Sequence, residues 1–218
     1  GIDIASDTVL MGFDSLEAIS SEITNPFSKN RHGITLGEAG AFFVMTKDVL
    51  DGNLPVQLLG YGESADAYHM TSPDPSGNGA MRAMKKALSA AEIKPEEVDY
   101  INLHGTGTKY NDSMEAKAVF SVFGENKVPA STTKPVTGHT LGAAGALEAA
   151  VCFACIEKNY GREEICLPVQ VWDRQQDSEM PSLNIVDKNS KNSGKVKICL
   201  SNSFAFGGAN SSLIIGIK

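Results

Sequence analysis

The chain has 218 residues, of which 42% are hydrophobic and 21% charged, and its formal net charge is -7. This is the composition of an ordinary globular protein, long enough for one domain with a substantial core, and a second small domain is not required. The charge argues against a global pull toward nucleic acid or anionic lipid, leaving only local basic patches open, and no apolar run approaches the roughly 18 residues of a membrane span.

The opening Gly1-Ile2-Asp3-Ile4 has neither the basic nor the long apolar region of a secretory signal. The cytoplasm is therefore the expected location. Residues 14–24 read as a short amphipathic helix and 25–33 as a loop. Residues 38–46 are small and apolar, as in a buried strand. Pro55 precedes a second strand-like run over 56–64. Residues 71–78 are dense in turn formers and predict a loop. In 79–92, Ala80, Met81, Met84, Ala87, Leu88 and Ala91 recur at helical spacing. A strand over 98–103 ends directly at His104. A helix follows at about 111–123, with Val119, Phe120 and Phe123 on its apolar side.

Residues 129–133 predict a short strand, and 141–158, rich in small apolar residues, a deeply buried helix. Residues 172–194 are polar and irregular, with a candidate strand at 183–186. Residues 195–201 and 211–217 read as two closing strands. Strand and helix alternate and strands close the chain, which predicts an α/β layered fold with helices on both faces of a sheet. Sites in such folds lie at the carboxyl ends of strands. That is where His104 falls, together with the loop holding Lys134 and His139.

The four cysteines are Cys152, Cys155, Cys166 and Cys199. Cys152 and Cys155 form a C-x-x-C, but their apolar neighbours are those of a buried helix, and no second pair completes a zinc site. They are expected to be reduced core thiols.

Three segments carry chemistry. In Asn102-Leu103-His104-Gly105-Thr106-Gly107-Thr108, the glycines admit a ligand to the backbone and the threonines offer hydroxyls. In the second, residues 131–139, Lys134 precedes His139 by five positions, and a helix begins near Leu141. The lysine charge and the helix dipole both favour a neutral imidazole, whose N–H can polarise a carbonyl. The third, residues 201–210, is a loop with two phenylalanines and two glycines, Phe204, Phe206, Gly207 and Gly208, between two strands.

Together these segments resemble the signature blocks of the beta-ketoacyl-acyl-carrier-protein synthases, the type II elongating condensing enzymes of the thiolase-like superfamily. H-G-T-x-T matches residues 104–108, S-x-T-K-x-x-x-G-H-x-x-G-A-A-G matches 131–145, and N-S-F-x-F-G-G-x-N matches 202–210. Weaker blocks lie at 26–38 and 66–73. The resemblance implies the carboxy-terminal half of that fold over residues 1–218, with helices on both faces of a mixed sheet. It also implies a decarboxylative Claisen condensation of malonyl-acyl-carrier protein with an acyl thioester, in fatty-acid synthesis or a related polyketide or polyene pathway.

By motif position, His104 and His139 resemble the two catalytic histidines and Lys134 the lysine that supports the site's electrostatics. Phe206 resembles the gating phenylalanine, whose backbone N–H helps form an oxyanion hole. Glu148, Asp112 and Glu115 match supporting acids. Thr106, Thr108 and Phe204 match positions lining the phosphopantetheine arm. Lys29 and Arg31 lie where the family places part of a basic patch for acidic acyl-carrier protein. No metal and no cofactor beyond that arm is implied.

The expected partners are acyl-carrier protein, malonyl and acyl thioesters, and an amino-terminal half, in a homodimer. The family's nucleophilic cysteine lies well upstream of the first block, and none of the four cysteines has its context, so the chain alone is expected to be inactive. Ala205 replaces a usual glycine and is expected to stiffen the gating loop, because alanine resists positive φ. Residues 159–187 match the family poorly. Two alternatives are a non-catalytic partner of the chain-length-factor type, which usually loses the catalytic residues, and a thiolase or hydrolase of the same fold. The retained trio counts against the first. The lysine spacing and the double-phenylalanine loop count against the second.

Overall fold

The computed structural model describes residues 1–48, 52, 54–192 and 194–218. In chain order the elements are β1 (Ile2–Asp3), α1 (Asp7–Ser15), β2 (Ala39–Gly40), β3 (Gln57–Ala65), α2 (Asn78–Ala91), β4 (Tyr100–Asn102), α3 (Lys109–Phe123), β5 (Pro129–Ser131), α4 (Lys134–Thr137), α5 (Ala144–Asn159), β6 (Asn184–Ile185), β7 (Ile198–Ala205) and β8 (Ala209–Gly216). Six strands form one mixed sheet in the order β3-β8-β7-β4-β5-β6. β3, β8 and β7 pair antiparallel, whereas β7, β4, β5 and β6 run parallel.

The sheet's parallel centre, β4, β5 and β7, is largely buried on both faces, as parallel strands usually are, whereas β3 at the edge carries exposed residues such as Tyr61. Alternate residues of β4 and β7 point to opposite layers. Ile101, Leu103 and Leu200 join a core with Met84 and Leu88 of α2 and Met114 and Val119 of α3. Tyr100 and Cys199 face the other way, into a core with Cys152 and Ile156 of α5. The expected arrangement, helices on both faces of a mixed sheet, is what forms. α2 sits close on β3 because Gly60 and Gly62 carry no Cβ; one added at either position would strike the α2 backbone.

The expected strands and helices from residue 56 onward form with their ends shifted by a few residues. Four readings are corrected. The helix foreseen at 14–24 forms instead at Asp7–Ser15, where Ser6 Oγ caps the Val9 N–H and Asp7 occupies the first turn. It stops because Glu17 turns left-handed, at φ 52°. The buried strand at 38–46 shrinks to Ala39–Gly40, paired only with β1, and Phe42 (81% exposed) and Val44 (89%) face outward. Composition marks these residues as apolar, but among the described residues only β1 pairs with them, at Ala39 and Gly40. Finally, α5 is buried on one face only, through Glu148, Ala149, Cys152, Cys155, Ile156 and Asn159, while Phe153 is exposed. Phe120 of α3 is exposed too, unlike Val119 and Phe123. Position 193 of the irregular 172–194 stretch lies outside the described residues.

Candidate active site

The parallel strands β4, β5 and β7 deliver their carboxyl ends to one edge of the sheet, and the three motif segments leave from there. His104 follows β4, and Lys134 follows β5 as the first residue of the single-turn α4. His139 comes one residue beyond Gly138, which caps that turn at φ 69°. Phe204 lies near the end of β7. The two imidazoles meet edge to face with ring centroids 5.3 Å apart, and Phe204 packs edge-on against His104 at 5.9 Å.

Each ring is held by its Nδ1. The Leu141 amide donates to His139 Nδ1 at 3.3 Å, so that nitrogen is an acceptor and the neutral ring carries its proton on Nε2. Lys134 Nζ lies 3.5 Å from His104 Nδ1, which selects the same tautomer. The cationic forms are suppressed by burial first and by the Lys134 charge second. His139 is held down to about 3, and His104, with His139 as a further cause, lies well below the usual imidazole range. The dipole expectation for His139 is therefore revised. A short helical turn, Leu141–Ala143, intervenes before α5, and its amide acts by hydrogen bonding, while desolvation is the largest cause of the shift and the Lys134 charge the next. The ring is also anchored through its backbone: His139 N–H donates to Thr35 O at 2.6 Å, and Gly37 N–H to His139 O at 3.1 Å.

Lys134, 1% exposed, donates to the Glu148 carboxylate and to His104 O at 2.5 Å. Glu148 is 2% exposed. Its burial raises its pKa, and the lysine opposes that rise. The charge pair thus ties α4, α5 and the β4 end together.

Glu115, on α3, receives the N–H groups of His104 and Gly105, both at 2.8 Å, and Asn202 Nδ2 at 3.2 Å. Desolvation nonetheless raises its pKa to about 7. Asp112 accepts from Phe27 N–H at 2.8 Å and Gly107 N–H at 3.2 Å, and burial raises its pKa. Both acids therefore shape the 104–108 turn. Thr106 and Thr108 hydroxyls are 2.9 Å apart, Thr106 being buried and Thr108 half-buried.

Two site expectations change. Arg31 is 4% exposed. It donates to Asp177 at 2.6 Å, to Ser28 O at 2.7 Å and to Ser113 Oγ at 2.9 Å, so it cannot present a surface charge, whereas Lys29 is exposed. Ala205 is extended, at φ -116°; the positive φ of the hairpin turn falls on Gly207 (83°) and Gly208 (77°). The alanine is unstrained here. Phe206, 52% exposed, stacks on Phe13 of α1 at 5.7 Å.

Sequence reading missed four contributors. Phe13 lies outside the helix that the sequence predicts at 14–24, and Thr24, whose hydroxyl lies 2.7 Å from Gly33 O and 3.0 Å from Thr106 O, belongs to no motif. Asn202 sits in a quoted block but without an assigned task. Gln170, 2% exposed, accepts from Thr132 N–H at 3.1 Å and donates to Pro26 O at 2.9 Å. A buried glutamine with both ends used joins distant segments, and no spacing rule announces it. A groove of about 330 Å³ beside Ile23, Asn25, His32 and Trp172 is lined by none of the imidazole, lysine or phenylalanine positions above. Among the described residues no His, Cys, Asp or Glu cluster could hold a metal ion, and no helix is long and apolar enough to cross a membrane. Cys152, Cys155 and Cys199 are free and buried; Cys166 is free and exposed.

Two imidazoles of one tautomer, backed by a buried lysine, thus meet at the carboxyl edge of a mixed sheet. The profile of the beta-ketoacyl synthase C-terminal domain matches residues 56–164, half of the chain, and the chain belongs to that family. It is 36% identical over 228 residues to 3-oxoacyl-[acyl-carrier-protein] synthase 2 of Coxiella burnetii, covering 99% of this chain and 53% of that one. With the mitochondrial 3-oxoacyl-[acyl-carrier-protein] synthase of Arabidopsis thaliana it shares 35% over 218 residues, 93% of this chain and 46% of the relative. Among solved structures, the ketosynthase (ApeO) in complex with its chain length factor (ApeC) from Xenorhabdus doucetiae superposes with a TM-score of 0.87 at 43% identity, covering 100% of this chain and 52% of that one. The ishigamide ketosynthase/chain length factor gives 0.84 at 31%, covering 100% and 53%. The chain thus spans about half the length of the relatives it matches.

Proposed function

We propose that this chain supplies the decarboxylating, enolate-binding half of a 3-oxoacyl-[acyl-carrier-protein] synthase of fatty-acid or related polyketide or polyene synthesis. Malonyl on the phosphopantetheine arm of acyl-carrier protein loses carbon dioxide. The electron pair of the broken C–C bond passes into an enolate, whose oxygen takes the Nε2–H bonds of His104 and His139. The enolate carbon then attacks an acyl thioester, a C–C bond forms, and a cysteine thiolate leaves. The observation carrying this reading is that both rings, His104 buried and His139 half-buried, are kept neutral and held through Nδ1, which leaves two N–H donors for one developing oxyanion.

Lys134 and Glu148 hold this pair in place. Thr106, Thr108 and Phe204 line the arm, and Phe206 gates it. The thiol comes from a segment outside these 218 residues, because Cys152, Cys155 and Cys199 are packed into the core and Cys166 belongs to none of the strand ends that carry the imidazoles. On this reading the chain alone transfers no acyl group. In the protein assembled with its thiol-bearing half, His139→Ala is expected to lower malonyl decarboxylation by about 100-fold; carbon dioxide release at near the parent rate refutes the role. Two of the similar structures pair a ketosynthase with a chain length factor, which favours a heterodimer as the second arrangement to test beside the homodimer. Retention of His104, Lys134 and His139 favours the ketosynthase side of such a pair.

A further inference from the structure

Gln170 lies on no helix or strand and in none of the motif blocks, within the segment 159–187 that matches the family poorly. It is nevertheless 2% exposed, and both ends of its amide are used. Its main-chain N–H donates to Val186 O at 2.9 Å, and Val186 N–H donates to Ala130 O of β5 at 2.9 Å. The residue is thus fastened alongside β5. Its side-chain carbonyl accepts from Thr132 N–H at 3.1 Å, and its NH2 group donates to Pro26 O at 2.9 Å.

Both partners belong to the walls of the turn that carries His104. Thr132, fully buried, donates its hydroxyl to Gly105 O at 3.2 Å and accepts from Lys134 N–H at 3.3 Å. Phe27, next to Pro26, is buried too and donates its N–H to Asp112 at 2.8 Å. Gly105, at φ 38°, runs through the slot between them: a Cβ there would stand 2.8 Å from the Phe27 ring and 2.8 Å from Thr132 Cγ2. The Gln170 amide ties the two walls of this slot together. A shift of either wall moves Gly105, and His104 with it. His139 is fastened separately, through Thr35 and Gly37.

We propose that Gln170 is a positioning residue, whose amide sets the spacing between Thr132 and Pro26 and so aims the His104 ring at the oxygen it shares with His139. This rests on the functional reading above and adds a residue that acts through His104. The task requires an amide, because one end must accept from a backbone N–H while the other donates to a backbone carbonyl. An ionised carboxylate has no donor, and a thioether is at best a weak acceptor.

The test uses the protein assembled with its thiol-bearing half. Gln170→Met, close in length and volume, removes both side-chain bonds. It is expected to lower kcat for carbon dioxide release from malonyl-loaded acyl-carrier protein about tenfold, since a misplacement of about 1 Å costs up to about 100-fold, with KM changed less than about threefold. With 15N-labelled imidazoles in this chain, the His104 ring signals are expected to shift and those of His139 to stay. Asn159→Leu is the comparison: it removes another buried bracket, from Asn159 Nδ2 to Cys155 O at 2.7 Å and Cys166 O at 3.0 Å, at the end of α5 away from Glu148. It is expected to lower the melting point and leave kcat and both rings' signals unchanged. Gln170→Asn, one methylene short, is expected to act in the same direction as Gln170→Met, and it carries the test where that variant does not fold. A kcat within about twofold of the parent for the Gln170 variants, an equal loss in Asn159→Leu, or His139 signals that move as far as those of His104 each overturns the positioning role and leaves the function standing. If the parent releases no carbon dioxide, the enolate-binding reading falls, and the ring signals still decide whether Gln170 positions His104.

Discussion

Removing Glu148 should be far more damaging than removing the whole ion pair. Lys134 is 1% exposed and Glu148 2%, so neither charge is hydrated. At a charge separation of about 4 Å and an effective dielectric near 20, their attraction is worth about 4 kcal/mol. Glu148→Ala leaves the ammonium buried with only backbone and imidazole acceptors, a change expected to cost about 3–5 kcal/mol. For a chain of this size that lowers the melting temperature by about 6–20 °C. Replacing both partners, as Lys134→Met/Glu148→Leu, removes the desolvated charges together and should restore most of the loss, leaving about 1 kcal/mol for the hydrogen bond to His104 O. Urea unfolding of parent, both single variants and the double variant gives the cycle. If Glu148→Ala costs under 1 kcal/mol, or the double variant is as unstable as the sum of the singles, the ion pair is not the clamp described here.

Acid should expose the neutral histidines. His139 titrates near 3 when folded, against 6.5 when free, so between those values the unfolded chain binds a proton that the folded chain refuses. Its contribution is present above pH 6.5 and is lost as pH falls toward 3, at about 1.4 kcal/mol per pH unit. Glu115, raised to about 7 from 4.5, acts oppositely, with stability falling as pH rises through that interval. The measurement is therefore the difference between parent and His139→Gln, from urea midpoints at several pH values; a difference that does not change below pH 6.5 rejects the assignment. Ala205→Gly should cost about 0.5–1 kcal/mol by freeing an extended residue. Amide exchange at Phe206 and Gly207 should speed up about two- to fivefold, and unchanged exchange would show that Ala205 does not limit the hairpin.

Much of the chemistry could be read along the chain because it travels in contiguous blocks. His104, Lys134 and His139 each sit in a motif, and local spacing placed them at strand ends. The periodicity of α2 and α3 is local too, which is why those elements form close to where they were expected. Arg31 shows the limit. Its neighbours Lys29 and Asn30 are exposed, and only the approach of Asp177 and Ser113, distant in sequence, turns it inward. The dipole argument for His139 gave the right charge state from a minor cause, because burial is a property of everything packed around the ring.

Residues 38–46 show the same boundary from the other side. Apolar composition calls for a sheet, but whether a sheet exists to receive the strand depends on other segments. Sequence alone determined which groups could act as acid, base or hydrogen-bond donor, and which stretches were periodic, since both are set by residue identity and near neighbours. Tertiary structure alone decided that Lys134 meets His104 Nδ1 and that Arg31 turns inward onto Asp177 and Ser113. Those depend on contacts between residues tens of positions apart, whose distances no local pattern encodes.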